Sequence, residues 1–233
     1  MESEHRGPAP KDRELFGPDQ WPALRAAVAD LAWLLSRGYA ERSALKLVGD
    51  RHRLRARQRA AVLRSTCTDA AREARCRSRI SIEALAGTVH VDGFNAIIIC
   101  ESALGGGPVF VGRDGASRDI ASVHGTYRRV EETRGAIEGL GELLAPADEV
   151  VFWLDRPVSN SGRLRALLLE LAAQRGWAWR VHLAVDPDRE LMDCEGIVAT
   201  ADALILDGGV PWIDLPGALI EDRIPEAFRI DLR

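Results

Sequence analysis

Three apolar runs in this chain each deliver an aspartate to their carboxyl end. Thr88-Val89-His90-Val91 runs into Asp92, Val150-Val151-Phe152-Trp153-Leu154 into Asp155, and Gly196-Ile197-Val198-Ala199-Thr200 into Ala201-Asp202. Ligands of parallel α/β sheets bind outside the carboxyl ends of the strands, so these three carboxylates are predicted to share one rim. Asp119, in Arg118-Asp119-Ile120 at the expected start of a long helix, is the fourth candidate. Like charges brought this close raise one another's pKa, an arrangement that a divalent cation neutralises. Oxygen-only ligands suit hard cations, so the expected ion is Mg²⁺ or Mn²⁺, whose chemistry includes activating water and stabilising a leaving oxygen in phosphodiester hydrolysis. Gly93 lets the backbone turn just after Asp92, and the amide of Asn95 is expected to orient that carboxylate. Asp is also a common turn former and helix cap, so it is the set of four, with Asn95, that carries the expectation.

Other residues are placed to hold an anion. The segment Asp155-Arg156-Pro157-Val158-Ser159-Asn160-Ser161-Gly162 is a polar turn between a buried strand and a helix N-terminus, so Ser159, Asn160 and Ser161 are candidate phosphate contacts. Arg118 joins them, as does Arg128 from the neighbouring group His124, Tyr127, Arg128 and Arg129 beyond Asp119. Arg51, Arg53, Arg55, Arg57, Arg59 and Arg64 form a dense basic stripe, of which Arg53, Arg55, Arg57 and Arg59 are the candidate contacts to a polyanion. Gly105, Gly106 and Gly107 lack the spacing of a dinucleotide fingerprint and read as a loop.

The formal net charge of −4 hides an asymmetry. Residues 37 to 79 carry 13 Lys/Arg against 4 Asp/Glu, a net of +9 that leaves −13 for the remainder. A basic module joined to an acidic one suits a polyanion partner for the first and a cation for the second. At 233 residues and 46% hydrophobic content the chain has ample material for a packed core. No apolar run approaches a membrane span, and the polar, acidic start differs from a signal peptide, so the expectation is a cytoplasmic protein with no membrane partner. Cys67, Cys76, Cys100 and Cys194 form no CxxC pair and read as reduced thiols.

Positioning these residues requires two modules. Residues 1 to 18 carry Pro8, Pro10 and Pro18 without periodicity and read as a loose arm. Leu24, Ala27, Val28, Leu31, Leu34 and Leu35 then recur at helical spacing until Gly38; a short helix capped by Ser43 ends at Gly49, and a third starts near Leu54. This gives a basic helical domain over 19–79. From Ile80 short β-rich runs alternate with helical segments, the pattern of a mainly parallel sheet with crossover helices over 83–233. Strands are expected at 88–92, 149–154, 178–185 and 196–200, with an edge strand near Trp212, a hairpin near Val109 to Gly112, and helices over 119–144 and from Ser161 and Pro187.

At Asp92-Gly93-Phe94-Asn95 and Thr200-Ala201-Asp202 the second module resembles the PIN and NYN nuclease superfamily. Over residues 24 to 215 the chain also resembles the prokaryotic family called domain of unknown function 434, through Ser43 to Asp50, Arg57-Gln58-Arg59, Arg118-Asp119 and Asp155 to Gly162. The resemblance implies a PIN-like three-layer domain with Asp92, Asp119, Asp155 and Asp202 as metal ligands and Asn95 as the orienting residue. It leaves open whether Asp188 or Asp207 supplies a further acidic group. The function so implied is a Mg²⁺- or Mn²⁺-dependent ribonuclease that leaves 5′-phosphate and 3′-hydroxyl ends, with RNA held by the basic helices. The rivals are a non-catalytic RNA-binding protein and a DNA-binding regulator that uses the helical domain. A homo-oligomer is compatible with the sequence, which does not specify one.

Overall fold

A computed structural model describes residues 5–120 and 127–233. The N-terminal part contains α1 (Asp12–Leu15), α2 (Trp21–Leu35), α3 (Glu41–Arg51), α4 (Ala56–Arg64) and α5 (Asp69–Ser78). The periodic residues of α2, Leu24, Ala27, Val28 and Leu31, are buried, and Gly38 beyond its end takes a left-handed φ of 79° that a side chain would resist. α3 begins at Glu41, so Ser43 lies inside the helix instead of capping it, and Gly49 sits within its last turn. A Cβ on Gly49 would fall within 2.6 Å of the Arg59 guanidinium, so this glycine makes room for a packed arginine.

Residues 5–18 are not loose. Phe16 is buried against Phe110 at 4.9 Å, Asp12 is buried and paired with Arg57, and Arg6 reaches the buried Glu101 at 2.7 Å. The proline-rich composition conceals one aromatic and two charged anchors.

The second part contains β1 (Thr88–Asp92), α6 (Gly93–Leu104), β2 (Val109–Val111), β3 (Ser117–Arg118), α7 (Thr133–Leu143), β4 (Glu149–Asp155), α8 (Ser161–Arg175), β5 (Trp179–Ala184), α9 (Pro187–Asp193), β6 (Ile197–Ala199), α10 (Ala203–Asp207), β7 (Trp212–Ile213), α11 (Leu215–Arg223) and β8 (Arg229–Asp231). Five strands form an all-parallel sheet in the order β5-β4-β1-β6-β7. In order along the chain these are the third, second, first, fourth and fifth strands, so the winding reverses between β1 and β6. α6, α7, α8 and α11 pack on the face that carries Val89, Val91, Phe152 and Leu154. α9 and α10 place Leu191, Ile205 and Leu206 with Val198 and Trp212 in a second core. The result is an α/β domain with helices on both sides of its sheet.

Of the long helix predicted over 119–144, residues 121–126 lie outside the described residues, and the described helix there, α7, starts at Thr133; α6, which follows β1 without a break, had no counterpart among the expected elements. The predicted hairpin is the antiparallel β2–β3 pair, which β8 extends in parallel into a second sheet. Phe110, Ile120, Ile230 and Leu232 from this sheet complete the core under α2, α3 and α4. The basic helices are thereby anchored to the α/β part through shared apolar burial.

Candidate acidic site at the sheet switch point

The crevice between β1 and β6 is where a doubly wound sheet binds ligands. Asp92 ends β1 on its left wall and Thr200-Ala201-Asp202 follows β6 on its right. Thr200 Oγ1 donates to Asp92 Oδ2 at 2.9 Å and accepts the Asp202 backbone N–H at 3.0 Å, so one hydroxyl ties the two carboxylate-bearing turns together. Asn95 bridges the crevice differently from the sequence expectation. Its backbone N–H donates to Asp92 Oδ1 at 3.4 Å, making Asp92 the cap of α6, while its side-chain Oδ1 accepts the Ala201 N–H at 3.0 Å. Gly93 takes no unusual φ; its role is close approach, since a Cβ there would stand 2.5 Å from Leu154 Cδ2 and 3.0 Å from the Trp153 carbonyl.

Burial pushes the Asp92 carboxyl up from 3.8 to about 7, with the negative charges of Asp202 and Asp188 adding to the effect and the Thr200 and Asn95 hydrogen bonds opposing it. Asp188, in the first turn of α9, is raised by burial and then by Asp202, Asp155 and Asp186. Asp155 is raised by burial and by Asp186. Asp188 is close enough to Asp202 and Asp155 for their charges to raise it, whereas Asp207 is bound to Arg75 at 2.7 Å. The hydroxyl bridge made by Thr200 and the nearness of Asp186 are what the strand-end pattern did not show; Asp188, left open beside Asp207 in the sequence, lies in the first turn of the helix after β5, a position that also suits an ordinary helix start.

Asp119 directly follows β3 and is buried, its Oδ1 3.8 Å from Arg64 Nη2, and residues 121–126 just beyond it lie outside the described residues. Arg64 and Asp202 in turn line one cleft of about 330 Å³ between the helical and α/β parts, together with Glu41, Thr66, Arg75 and Arg118. Among the described residues no three His, Cys, Asp or Glu side chains stand close enough to hold a metal ion jointly.

The expected anion contacts divide into exposed and structural groups. Arg118 is buried: both terminal nitrogens bind Asp114 at 2.7 Å and its Nε donates to the Ala201 carbonyl at 2.9 Å, so it braces the β6 turn. Arg75 binds Asp114 at 2.6 Å, and this pair of guanidiniums holds the Asp114 carboxyl well below its usual range against the cost of burial. Arg57 is committed to Asp12 at 2.5 and 2.9 Å, and Arg59 to the Leu54 carbonyl and Asp50 at 3.0 and 2.8 Å. Arg53 and Arg55 are exposed and form no ion pair among the described residues. Ser159 accepts the Tyr127 N–H at its carbonyl, Asn160 sits in the left-handed region at φ 71° and donates Nδ2 to the Tyr127 carbonyl at 2.8 Å, and Ser161 is the buried first residue of α8. Arg128 lies beside Asn160 in a cavity, and His124 falls outside the described residues.

The family model "Domain of unknown function (DUF5616)" matches residues 82–218, and the chain belongs to that family. "Protein of unknown function (DUF434)" matches residues 23–77, so the resemblance to that family is confined to the helical part and does not extend to residue 215. The "Uncharacterized protein MJ0935" of Methanocaldococcus jannaschii is 30% identical over 186 residues, covering 79% of this chain and 89% of that protein. No solved structure matches the chain. No helix among the described residues is long and apolar enough to cross a membrane.

Proposed function

We propose that this protein is a metal-dependent ribonuclease acting at the β1–β6 edge, with RNA gathered by the exposed arginines of the helical part. The observation that carries the reading is Asp92, a half-buried strand-end carboxylate in the switch-point crevice, pushed to about 7 by desolvation, Asp202 and Asp188. A carboxylate that resists ionisation for want of a counter-charge is suited to a cation, and the surrounding donors are all oxygens, which fits Mg²⁺ or Mn²⁺. Asp92 and Asp202, whose turns Thr200 ties together, are the carboxylates that would engage the ion; when bound it would supply charge neutralisation and activation of water. Thr200 keeps Asp92 turned toward the β6 side by donating its hydroxyl proton to Oδ2. Arg64, on the cleft wall that Asp202 shares, is placed to receive a phosphate of the substrate strand. Arg53 and Arg55 add contacts to more distant phosphates.

A non-catalytic RNA-binding role is the second reading, favoured by the spacing of the carboxylates, which do not close into a three-ligand group among the described residues. End-mapped digestion of total RNA with Mn²⁺ separates the two. The proposal expects metal-dependent cuts with 5′-phosphate ends that vanish in Asp92→Asn, whereas an inert wild-type protein that still binds RNA would leave the second reading.

A further inference from the structure

A cleft of about 310 Å³ lies between two helices of the N-terminal part, lined by Asp30, Trp33 and Leu34 of α2 and by Leu47, Val48 and Arg51 of α3. Leu34 and Val48 are buried and belong to the core beneath these helices, whereas Trp33 and Leu47 stand 52% and 60% exposed. One exposed leucine is ordinary, but here each wall of a single cleft carries an exposed apolar side chain. The Arg37 guanidinium lies 3.7 Å from the centre of the indole and donates Nη1 to the Trp33 carbonyl at 3.1 Å, so a cation already sits on this ring. Asp30, the carboxylate among the lining residues, is paired with Arg51 at 3.2 Å and His52 at 2.8 Å. Its charge is thereby met locally, and the net +9 over residues 37 to 79 makes the wider surroundings cationic.

We propose that this cleft is a base-stacking platform for single-stranded RNA, on which a nucleobase lies against Trp33 and Leu47 while flanking phosphates pair with Arg37 and with the arginines at and beyond the end of α3. Charge complementarity selects an anionic partner, and the exposed indole selects one that carries flat apolar rings; a nucleic-acid strand offers both in every residue. An acidic amphipathic helix would meet the charge but needs successive anchor pockets at i, i+3, i+4 and i+7. The cleft supplies one neighbouring pair from each helix, Trp33-Leu34 and Leu47-Val48, which suits a planar ring better than such a stripe. Stacking on Trp33 requires a base free of its own partner, so the platform favours single strands over duplex. The inference rests on the reading that RNA is the ligand of the helical part, and not on cleavage at the acidic edge.

Fluorescence anisotropy on the full chain, with chelator so that no metal-dependent cleavage enters, tests this with labelled oligouridylate, an abasic ribose-phosphate strand of the same length and a blunt RNA duplex. Oligouridylate is expected to bind about tenfold more tightly than the abasic strand, and more tightly than the duplex. Trp33→Ala should weaken oligouridylate about tenfold, the loss of one stacked base, while leaving its salt slope and the abasic strand's affinity unchanged. Trp33→Phe should restore most of the loss, and Leu47→Ala should weaken the same strand severalfold; melting curves show that each variant folds. Equal affinity for the RNA and the abasic strand, or wild-type affinity in both Trp33→Ala and Leu47→Ala, overturns the platform and leaves the arginine contacts standing. A full chain that binds none of the strands overturns it together with the RNA reading. Self-association in sedimentation that Trp33→Ala abolishes assigns the cleft to a second copy, and binding of an acidic Leu/Glu helical peptide that Trp33→Ala abolishes and oligouridylate does not displace assigns it to a protein; either result also overturns the proposal.

Discussion

Replacing Asp92 by Asn removes one half-buried charge while keeping the side-chain volume and, through Oδ1, the cap on the Asn95 N–H of α6; the amide Nδ2 then stands where Oδ2 accepted the Thr200 hydroxyl and donates to Thr200 Oγ1 instead. The folded-state carboxyl is raised from 3.8 to about 7, so between those values the folded protein holds a proton that the unfolded chain has released. Folded protein then binds more protons than unfolded, and stability falls as the pH climbs from about 4 to 7, remaining low above it. A shift of this size has a ceiling of about 4 kcal/mol. Solvent at the sheet edge screens part of it, which leaves roughly 1–3 kcal/mol. Without metal, Asp92→Asn is therefore expected to melt higher than wild type at pH 8, by about 2–12 °C for a chain of this length. Below pH 4, where Asp92 is protonated in both states, the difference should disappear. Paired melts at pH 4, 6 and 8 with chelator, repeated with Mn²⁺, read this out; Mn²⁺ should raise the wild-type midpoint at pH 8 and not that of the variant. A variant less stable than wild type at pH 8, or a difference that does not change with pH, would refute the electrostatic account of Asp92.

Arg57→Ala should cost about 3–5 kcal/mol in urea unfolding, because it strands the buried Asp12 carboxylate. Arg53→Ala with Arg55→Ala should leave stability unchanged and lower the salt dependence of RNA binding, each lost contact removing roughly 0.7 from the log-log slope. Arg118→Ala should also destabilise by about 3–5 kcal/mol and loosen the Ala201 turn, seen as faster amide exchange there. Gly93→Ala should lower the melting temperature by several degrees, since its Cβ would meet Leu154 and the Trp153 carbonyl and force β1 and β4 apart.

The parallel strands were legible because each is a short apolar run closed by a polar turn: β1 falls on 88–92 as expected, and β4, β5 and β6 within a residue or two. α6 was hidden because Phe94, Ile97, Ile98 and Ile99 are buried on several sides, which erases the periodicity that marks a surface helix. β8 and its pairing with β2 are long-range, and three residues carry no local signal. Asp92 and Asp155 were readable as the ends of β1 and β4 and Asp202 as following β6, while the hydrogen bond by which Thr200 ties Asp92 to the Asp202 turn needed the folded geometry. The arginine stripe misled most. Composition shows its charge but not that Arg57 and Arg59 are committed to internal partners, a distinction that only tertiary contacts create.

Single-turnover cleavage of an end-labelled RNA with Mg²⁺ or Mn²⁺, run on wild type, Asp92→Asn, Asp188→Asn and Asp207→Asn, tests the acidic edge most directly. Asp188 feels the charge of Asp202 and Asp207 is bound to Arg75, so the two substitutions remove the same charge from a carboxylate near the edge and from one paired elsewhere. The account predicts metal-dependent cleavage that is lost in Asp92→Asn and Asp188→Asn and kept in Asp207→Asn. Wild-type cleavage rates in Asp92→Asn, or a wild-type protein inert with every divalent ion, would contradict it.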